Sequence, residues 1–299
     1  MHEPVLVAAF EGWNDAGDAA SSALEHLAMV ARATRVATID PEVFYDFTAT
    51  RPEVRMLDGR TRSIEWPEPT LRAGTLPGTD DADGQDIVLL AAHEPGLRWR
   101  TFCEQVLGVA RDLGVTRVVT LGALLAEVPH TRAPRIIGTA DDDELIGRLG
   151  LRRSTYEGPT GIVGVLADAA SGAGYPSVSL WAAVPTYVPG APCPPATVAL
   201  LARAGEVLGI PIPAEVPATE AREYVTRIDE IVADDEDLVR FVERLEQAQD
   251  ESEVAEPDPD RLIAEVENFL RDNGAEECRR RHTEHPSGPS PPPPGIGAP

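Results

Sequence analysis

The first 214 residues alternate between apolar runs and stripes of apolar side chains at helical spacing. Continuous apolar runs at 5–10 and 86–92 predict strands that are buried on both faces. After the first run, apolar residues recur at helical spacing up to Val30, which predicts a helix with Asp15 and Asp18 placed to cap it. A strand at 35–39 would complete a strand–helix–strand unit, for which parallel strands and a right-handed crossover are expected.

The same patterns predict the rest of an α/β domain over residues 1–214. Short strands are predicted at 43–47, 54–57, 63–66, 117–121, 136–139 and 177–184, with a hairpin turn at Asp58-Gly59 and an exposed loop at 74–85. Helices are predicted at 99–113, after the acidic residues 141–143, at 161–170, and from Pro194 to Gly209. Alternating strands and helices are typical of a three-layer sandwich around a central sheet.

After residue 214 the chain changes to an acidic helical segment, predicted for residues 215–276. Residues 215–277 hold 22 acidic side chains and six arginines. Apolar stripes predict three helices here, one through Tyr224, Ile228 and Ile231, a second capped by Asp234, and a third opening at Pro259. Residues 247–258 are predicted to be flexible, and the Pro-rich tail 277–299 is predicted to be disordered.

Composition and charge narrow the classes of function. The chain has 299 residues with 50 acidic and 26 basic side chains, which gives a formal net charge of −24. This excess argues against nucleic-acid binding and against docking on an anionic membrane, because both need clustered basic side chains. No lysine occurs, which excludes Schiff-base and Walker-type lysine chemistry.

The cysteines and the apolar runs point to a protein without a metal or a membrane anchor. Cys103, Cys193 and Cys278 are scattered and form neither a disulfide framework nor a zinc motif. No apolar run has the length of a membrane span. We therefore expect a cytoplasmic protein that binds no metal, no cofactor, no nucleic acid and no membrane.

Charged and aromatic residues follow the predicted strands at their carboxyl ends, which is the edge where open α/β sheets bind ligands. The residues predicted to form a surface for a protein partner or a ligand are Glu11, Trp13, Asn14, Asp15, Glu94, Arg98, Trp99, Glu127, His130, Arg132, Tyr156 and Tyr187. Asp15 equally suits a plain helix cap, and Glu94 with Arg98 suits a surface ion pair.

Acid–base chemistry at this edge would need several of these groups to converge. The side chains of Glu127, His130, Thr131 and Arg132 could act as acid–base groups only if they share a pocket. A histidine in a loop is more often a structural side chain, and no nucleophile-elbow motif occurs in the chain. No catalytic residue is therefore assigned.

An ordered set of segments resembles the proteasome assembly chaperone 2 family, and within it the bacterial branch. The segments are FEGWNDAGDAA at 10–20, HEP at 93–95, GALLAEVPHTR at 122–132, YEGPTGI at 156–162 and VPTYVPGAPCPP at 184–195. The resemblance covers roughly residues 1–245. It implies an α/β fold like that of nucleoside phosphorylases and hydrolases, with a central mixed sheet. It also implies a non-enzymatic chaperone role, in which family members help proteasome α-subunits to assemble. The resemblance further implies that the protein associates with itself.

Two hypotheses of function follow. The first is a protein-binding module that forms a homo-oligomer and contacts protein partners, proteasome subunits among them. The alternative is an enzyme on the phosphorylase-like fold that acts on a nucleoside or a small amide. The alternative requires Asp15, Glu94, Glu127, His130 and Tyr156 to gather around one ligand.

Overall fold

The computed structural model describes residues 1–57, 59, 61–78, 84–188 and 190–254, and within these ranges the chain forms nine strands and seven α-helices. The strands are β1 (Val5–Glu11), β2 (Thr34–Thr38), β3 (Glu53–Leu57), β4 (Thr61–Glu65), β5 (Thr70–Leu76), β6 (Gln85–His93), β7 (Arg117–Ala126), β8 (Ile136–Ala140) and β9 (Ser177–Pro185). The helices are α1 (Ala19–Val30), α2 (Trp99–Asp112), α3 (Asp143–Leu149), α4 (Ile162–Gly172), α5 (Pro194–Leu208), α6 (Glu215–Ala233) and α7 (Glu236–Val254).

Seven strands form one mixed sheet in the order β2-β5-β6-β1-β7-β9-β8. The central strands β6, β1, β7 and β9 are parallel, while β5 and β8 run antiparallel to their neighbours. β2 runs in the same direction as β1, as expected, but it lies at the sheet edge on β5 and not beside β1. The predicted central mixed sheet is confirmed.

Helices cover both faces of this sheet and complete the predicted three layers. Val5 and Val7 of β1 belong to the core shared with α1, α5 and α6, whereas Leu6 and Phe10 belong to the core shared with α2 and α4. Because both sets are shielded from solvent, β1 is apolar at nearly every position. α6 packs on α5, and α7 packs on α6.

The predicted strand at 43–47 is wrong. Residues 41–43 form a 3₁₀ turn, and both Phe44 and Tyr45 are buried after it. Phe44 packs edge-to-face on Phe102 with ring centroids 5.4 Å apart, and the Tyr45 hydroxyl donates to the His93 carbonyl at 2.7 Å. Two adjacent side chains that both face the core need turn geometry, because a strand would send them to opposite faces.

The predicted loop at 74–85 is wrong in its first part. β5 continues to Leu76 and pairs along its length with β6. Leu71 and Leu76 are its large buried apolar side chains, so the strand has a weak hydrophobic pattern of its own. The predicted β3–β4 hairpin is confirmed, although Asp58 of its predicted turn lies outside the described residues.

The first two C-terminal helices form, with corrections to their details. The side chain of Asp235, and not Asp234, caps α7 by accepting from the N–H groups of Asp237 and Leu238 at 2.9 and 3.2 Å. Ile231 is exposed, and Val232 takes the buried position of the α6 stripe. The region predicted as flexible from 247 is helical up to 254.

The predicted third helix and the Pro-rich tail lie outside the described residues. The domain boundary at residue 214 stays a prediction. None of the helices in the described ranges is both long and apolar enough to cross a membrane.

Candidate functional site

Four parallel strands end at one edge of the sheet, and their loops form what we call the strand-end rim. It consists of residues 12–18 after β1, 94–98 after β6, 127–135 after β7, and 186–193 after β9, of which 189 lies outside the described residues. The backbone N–H of Glu94 donates to the Glu11 carbonyl at 2.9 Å, which joins the first two loops. All but one of the candidate residues lie on or beside this rim.

Asn14 and Glu94 meet in a buried contact that holds two loops and a helix together. Asn14 is fully buried, and its Nδ2 donates to Glu94 Oε1 at 2.9 Å. The same oxygen accepts from the N–H of Ile162, the first residue of α4, at 2.9 Å. The Glu94 carboxylate therefore acts as the cap of α4, where the helix dipole favours negative charge. Gly161 leaves room for Asn14, because a Cβ there would lie 2.3 Å from Asn14 Oδ1.

Asp15 caps α1, which confirms the structural alternative for this residue. Its Oδ1 accepts from the N–H groups of Ala20 and Ser21 at 2.7 and 3.1 Å, while Asp18 has a left-handed backbone with φ of 49° and makes no capping bond. The carboxyl group is 6% exposed, and its Oδ2 has no hydrogen-bond partner among the described residues. Burial raises the pKa of Asp15 above its ordinary value of 3.8, against the opposing effect of the bonds from Ser21 and Ala20.

His130, Tyr187 and Asp229 form a hydrogen-bonded chain between the rim and α6. The His130 side chain is 1% exposed, its Nδ1 lies 2.7 Å from the Tyr187 hydroxyl, and its Nε2 lies 3.1 Å from Asp229 Oδ1. The Tyr187 oxygen also accepts from the His130 backbone N–H at 2.7 Å. Burial raises the pKa of Tyr187 to about 12. The phenol therefore keeps its proton at neutral pH, and the two ring nitrogens of His130 bridge Tyr187 and Asp229.

Arg132 and its neighbours hold α7 on the same loop. The Arg132 guanidinium donates from Nε and Nη2 to the two carboxylate oxygens of Asp250, both at 2.8 Å, and from Nη1 to Glu246 at 3.2 Å. Thr131 also donates to Glu246, and Gln249 Nε2 donates to the Ala133 carbonyl at 3.4 Å. A two-pronged arginine–carboxylate pair fixes geometry as well as charge, so these contacts set where α7 lies.

Sequence reasoning missed Asp229, Glu246 and Asp250. Each belongs to a helix that carries several other exposed acidic side chains, so nothing in the sequence distinguishes these three carboxylates from the others. Only the packing of α6 and α7 against the rim places them opposite His130 and Arg132.

The remaining rim candidates are exposed or partly exposed. Trp13 is half-buried, and Trp99 is half-buried with its indole N–H donating to the Pro95 carbonyl. Glu11 lies 3.2 Å from His93 Nδ1. Arg98 and Glu127 are exposed, and the side chain of neither forms a hydrogen bond or an ion pair within the described ranges.

Tyr156 belongs to the loop before α4 and not to the strand-end rim. Its hydroxyl donates to the Pro159 carbonyl at 2.6 Å, and it lines a cavity beside Trp181 of β9.

The groups that the enzyme alternative needs do not meet. Within the described ranges, Asp15, Glu94, Glu127, His130 and Tyr156 form no hydrogen bond with one another. Four of them use their polar atoms for capping, for loop closure or for holding α6. The geometry therefore favours a structural role for these four over a shared reaction centre.

These contacts define an α/β scaffold in which strand-end polar groups tie loops and C-terminal helices to a central sheet. The chain belongs to the PAC2 family, whose model matches residues 9–232. No curated protein matches the chain significantly.

Solved structures show the same fold. A PAC2 family protein from Streptomyces avermitilis is 43% identical with a TM-score of 0.74, over 80% of this chain and 99% of its own. A proteasome-assembly chaperone homologue from Mycobacterium tuberculosis is 45% identical with a TM-score of 0.70 and the same coverage. An archaeal proteasome activator from Pyrococcus furiosus shares the fold at 14% identity and a TM-score of 0.59, over 77% of this chain and 94% of its own.

Proposed function

We propose that this protein is a non-enzymatic protein-binding module with a chaperone-like role, which associates with itself and contacts proteasome subunits. The proposal rests first on the 45% identity to a proteasome-assembly chaperone homologue over 80% of the chain. It is also supported by the rim, where most of the candidate acid–base groups are engaged in internal contacts.

The observation that carries the self-association proposal is the apolar face of the β3–β4 hairpin, formed by Val54, Met56 and Ile64. Among the described residues, β3 and β4 pair only with each other, as a two-stranded sheet apart from the main one. Val54 lies opposite Ile64 and Met56 is two residues along, so the three share one face, and all three are exposed. An isolated hairpin is marginally stable in water, and adjacent exposed apolar side chains are typical of protein interfaces.

A second copy of this chain is the occupant that we propose for the hairpin face. Two copies with a net charge of −24 each repel one another over most of their surfaces. Residues 51–65 are an exception, because they contain four arginines and three carboxylates. On the opposite face of the hairpin, Arg55 is already paired with Glu65 at 2.7 Å and with Glu53 at 3.5 Å. A hairpin-to-hairpin contact would therefore bury apolar area where repulsion is weakest.

Contacts to other proteins are proposed at the strand-end rim. Leu97 and Arg98 are exposed side by side, and Trp13 and Trp99 are partly exposed on neighbouring loops. Tryptophan and arginine are the residue types that most often anchor interfaces. The acidic helices α6 and α7 would attract a basic partner surface, and salt would weaken that attraction.

The oligomeric state tests self-association. We expect light scattering to give a dimer or larger for the wild type and a monomer for Ile64→Glu. Ile231→Glu on α6 is the matched control, because Ile231 is 54% exposed and Ile64 is 55% exposed. A wild type that is monomeric at every concentration, or an Ile64→Glu protein that assembles like the wild type, would contradict the proposal.

Co-purification with proteasome α-subunits from the same organism tests the partner. The wild type should recover them at low salt and lose them at high salt. Arg98→Glu should recover fewer, whereas Arg111→Glu, an exposed arginine on α2, should behave as the wild type. Failure to recover α-subunits at low salt, or equal recovery by both variants, would contradict a rim contact.

A further inference from the structure

A cavity of about 450 Å³ lies between β8, β9 and α4, and its lining contains no residue of the hairpin or of the strand-end rim. Its polar and aromatic lining includes Thr139, Asp141, Tyr156, Asp168, Ser177 and Trp181. It forms because β9 turns Ser177, Ser179 and Trp181 toward the α4 side of the sheet. On the α4 side the lining includes the small residues Gly164 and Ala167, and Thr160 Oγ1 lies directly over Gly164. A cavity of this size is in the range of small-ligand sites.

The Trp181 ring is a fixed aromatic surface in this cavity. It lies directly against Gly122, its neighbour on β7, where a Cβ would be 2.6 Å from the ring. Its indole N–H donates to Ser179 Oγ at 3.0 Å, and Thr120 Oγ1 donates to the same oxygen at 2.9 Å. The ring is half-buried and therefore still presents part of its surface to the cavity. A ring held in this way loses little freedom when a ligand stacks on it.

Two hydroxyl groups of the cavity lining have their protons engaged in internal hydrogen bonds. The Ser177 hydroxyl donates to the Tyr175 carbonyl at 3.1 Å, and the Tyr156 hydroxyl donates to the Pro159 carbonyl at 2.6 Å. Their protons are therefore in use, and the Ser177 oxygen can still accept a hydrogen bond. A ligand that offers N–H groups can therefore donate to Ser177 at this site.

Among the described residues that line the cavity, the charged side chains are all acidic. Asp141 and Asp168 are exposed at the cavity, and within the described ranges neither forms a hydrogen bond or an ion pair. None of the described residues that line the cavity is basic. The site would repel phosphates and carboxylates and attract a cation.

We propose that this cavity binds a guanidinium group carried on an aliphatic chain. A guanidinium is planar and stacks on an indole ring, and its five N–H donors match carboxylate and hydroxyl acceptors. The Trp181 ring would stack on the flat face of the guanidinium, and the carboxylates of Asp141 and Asp168 would accept its N–H groups. Thr139 and Ser177 would contact the aliphatic part of the ligand. The ligand is either a free guanidino compound or an arginine side chain of a peptide, and both present the same group.

Titration of the full chain with agmatine tests the proposal, with the indole N–H resonance of Trp181 followed by NMR. We expect a saturable shift with agmatine and none with butylurea, a neutral analogue of similar shape. Asp141→Asn and Asp168→Asn should each weaken binding about tenfold, because each removes a charge-assisted hydrogen bond. Asp112→Asn, an exposed carboxylate on α2, is the matched control and should leave the affinity unchanged.

A blocked tripeptide, acetyl-Gly-Arg-Gly-amide, distinguishes the two sources. Tighter binding of the tripeptide than of agmatine identifies a peptide arginine, and the reverse identifies a free guanidino compound. The proposal is wrong if neither probe saturates at millimolar concentration, if butylurea binds as well as agmatine, or if the cavity variants bind like the wild type. Melting curves of both cavity variants should match the wild type, since both positions are exposed.

Discussion

The Nε2 atom of His130 lies 3.1 Å from Oδ1 of Asp229, and this contact joins the loop after β7 to helix α6. The two residues are 99 positions apart in sequence. The His130 side chain is buried in the rim, whereas the Asp229 side chain is more than half exposed on α6. The buried histidine is therefore the fixed member of the pair, and α6 packs against it. The acidic C-terminal helices are thereby held against the edge of the sheet where sequence analysis placed the functional residues.

Asp229→Ala is expected to lower the free energy of unfolding by about 1 kcal/mol, because a buried imidazole N–H loses its acceptor. Glu230→Ala is the matched control at the next position, where the side chain is exposed and has no hydrogen bond or ion pair within the described residues. Denaturant unfolding of both variants measures the difference. Equal stability of the two variants would mean that the His130 contact adds nothing to the fold.

Arg132→Ala is expected to loosen α7, since the guanidinium is bonded to both Asp250 and Glu246. Backbone amides of residues 244–251 should exchange with solvent about five- to tenfold faster, the effect of losing about 1 kcal/mol from a partly exposed ion-pair network. Arg240→Ala removes ion pairs that lie within α7, to Glu236 and Asp237, and should change exchange much less. Unchanged exchange in Arg132→Ala would show that α7 is held by apolar contacts alone.

Glu94→Ala is expected to cost about 2–3 kcal/mol of stability, because the Asn14 amide and the Ile162 N–H are both left without an acceptor. Glu94→Gln keeps one acceptor oxygen and should recover about half of the loss. Glu127→Ala, an exposed acid on the same rim, should be neutral. Thermal and denaturant unfolding would contradict this interpretation if Glu94→Ala and Glu127→Ala were equally stable.

The sequence allowed the parallel centre of the sheet to be predicted because its strands are buried on both faces. β1 and β6 are continuous apolar runs for that reason. β5 could not be predicted in this way, since its sequence TLRAGTL has two large apolar residues and its strand geometry comes from pairing with β6. The intrinsic strand propensity of a segment determines its structure less than pairing with a neighbouring strand does.

The sequence identified several residues of the candidate site, but it did not reveal the hydrogen bonds that connect them. His130 and Tyr187 were each singled out by their position after a strand, and the structure places them 2.7 Å apart. Their third partner, Asp229, is one carboxylate among many on an acidic helix, and its role depends on how α6 packs on α5. Contacts between a loop and a distant helix leave no local pattern in the sequence.

Asp15→Asn is expected to gain stability relative to the wild type as the pH rises above 3.8. Burial raises the pKa of Asp15 above that ordinary value, so the folded chain holds the proton to higher pH than the unfolded chain. The stability linked to this proton is fully present below pH 3.8 and is lost as the pH rises through the folded-state pKa. Asparagine cannot ionise, and its carbonyl oxygen can still accept from the N–H groups of Ala20 and Ser21.

Denaturant unfolding of wild type and Asp15→Asn across this pH range measures the difference in stability between them. Asp234→Asn is the control, because Asp234 is exposed at the end of α6 and its substitution leaves the Asp15 cap intact. A difference for Asp15→Asn that is constant or that shrinks with rising pH would show that the buried Asp15 carboxylate is not destabilised by the fold. A growing difference would identify the cap of α1 as a place where the fold holds an ionised group at a cost in stability.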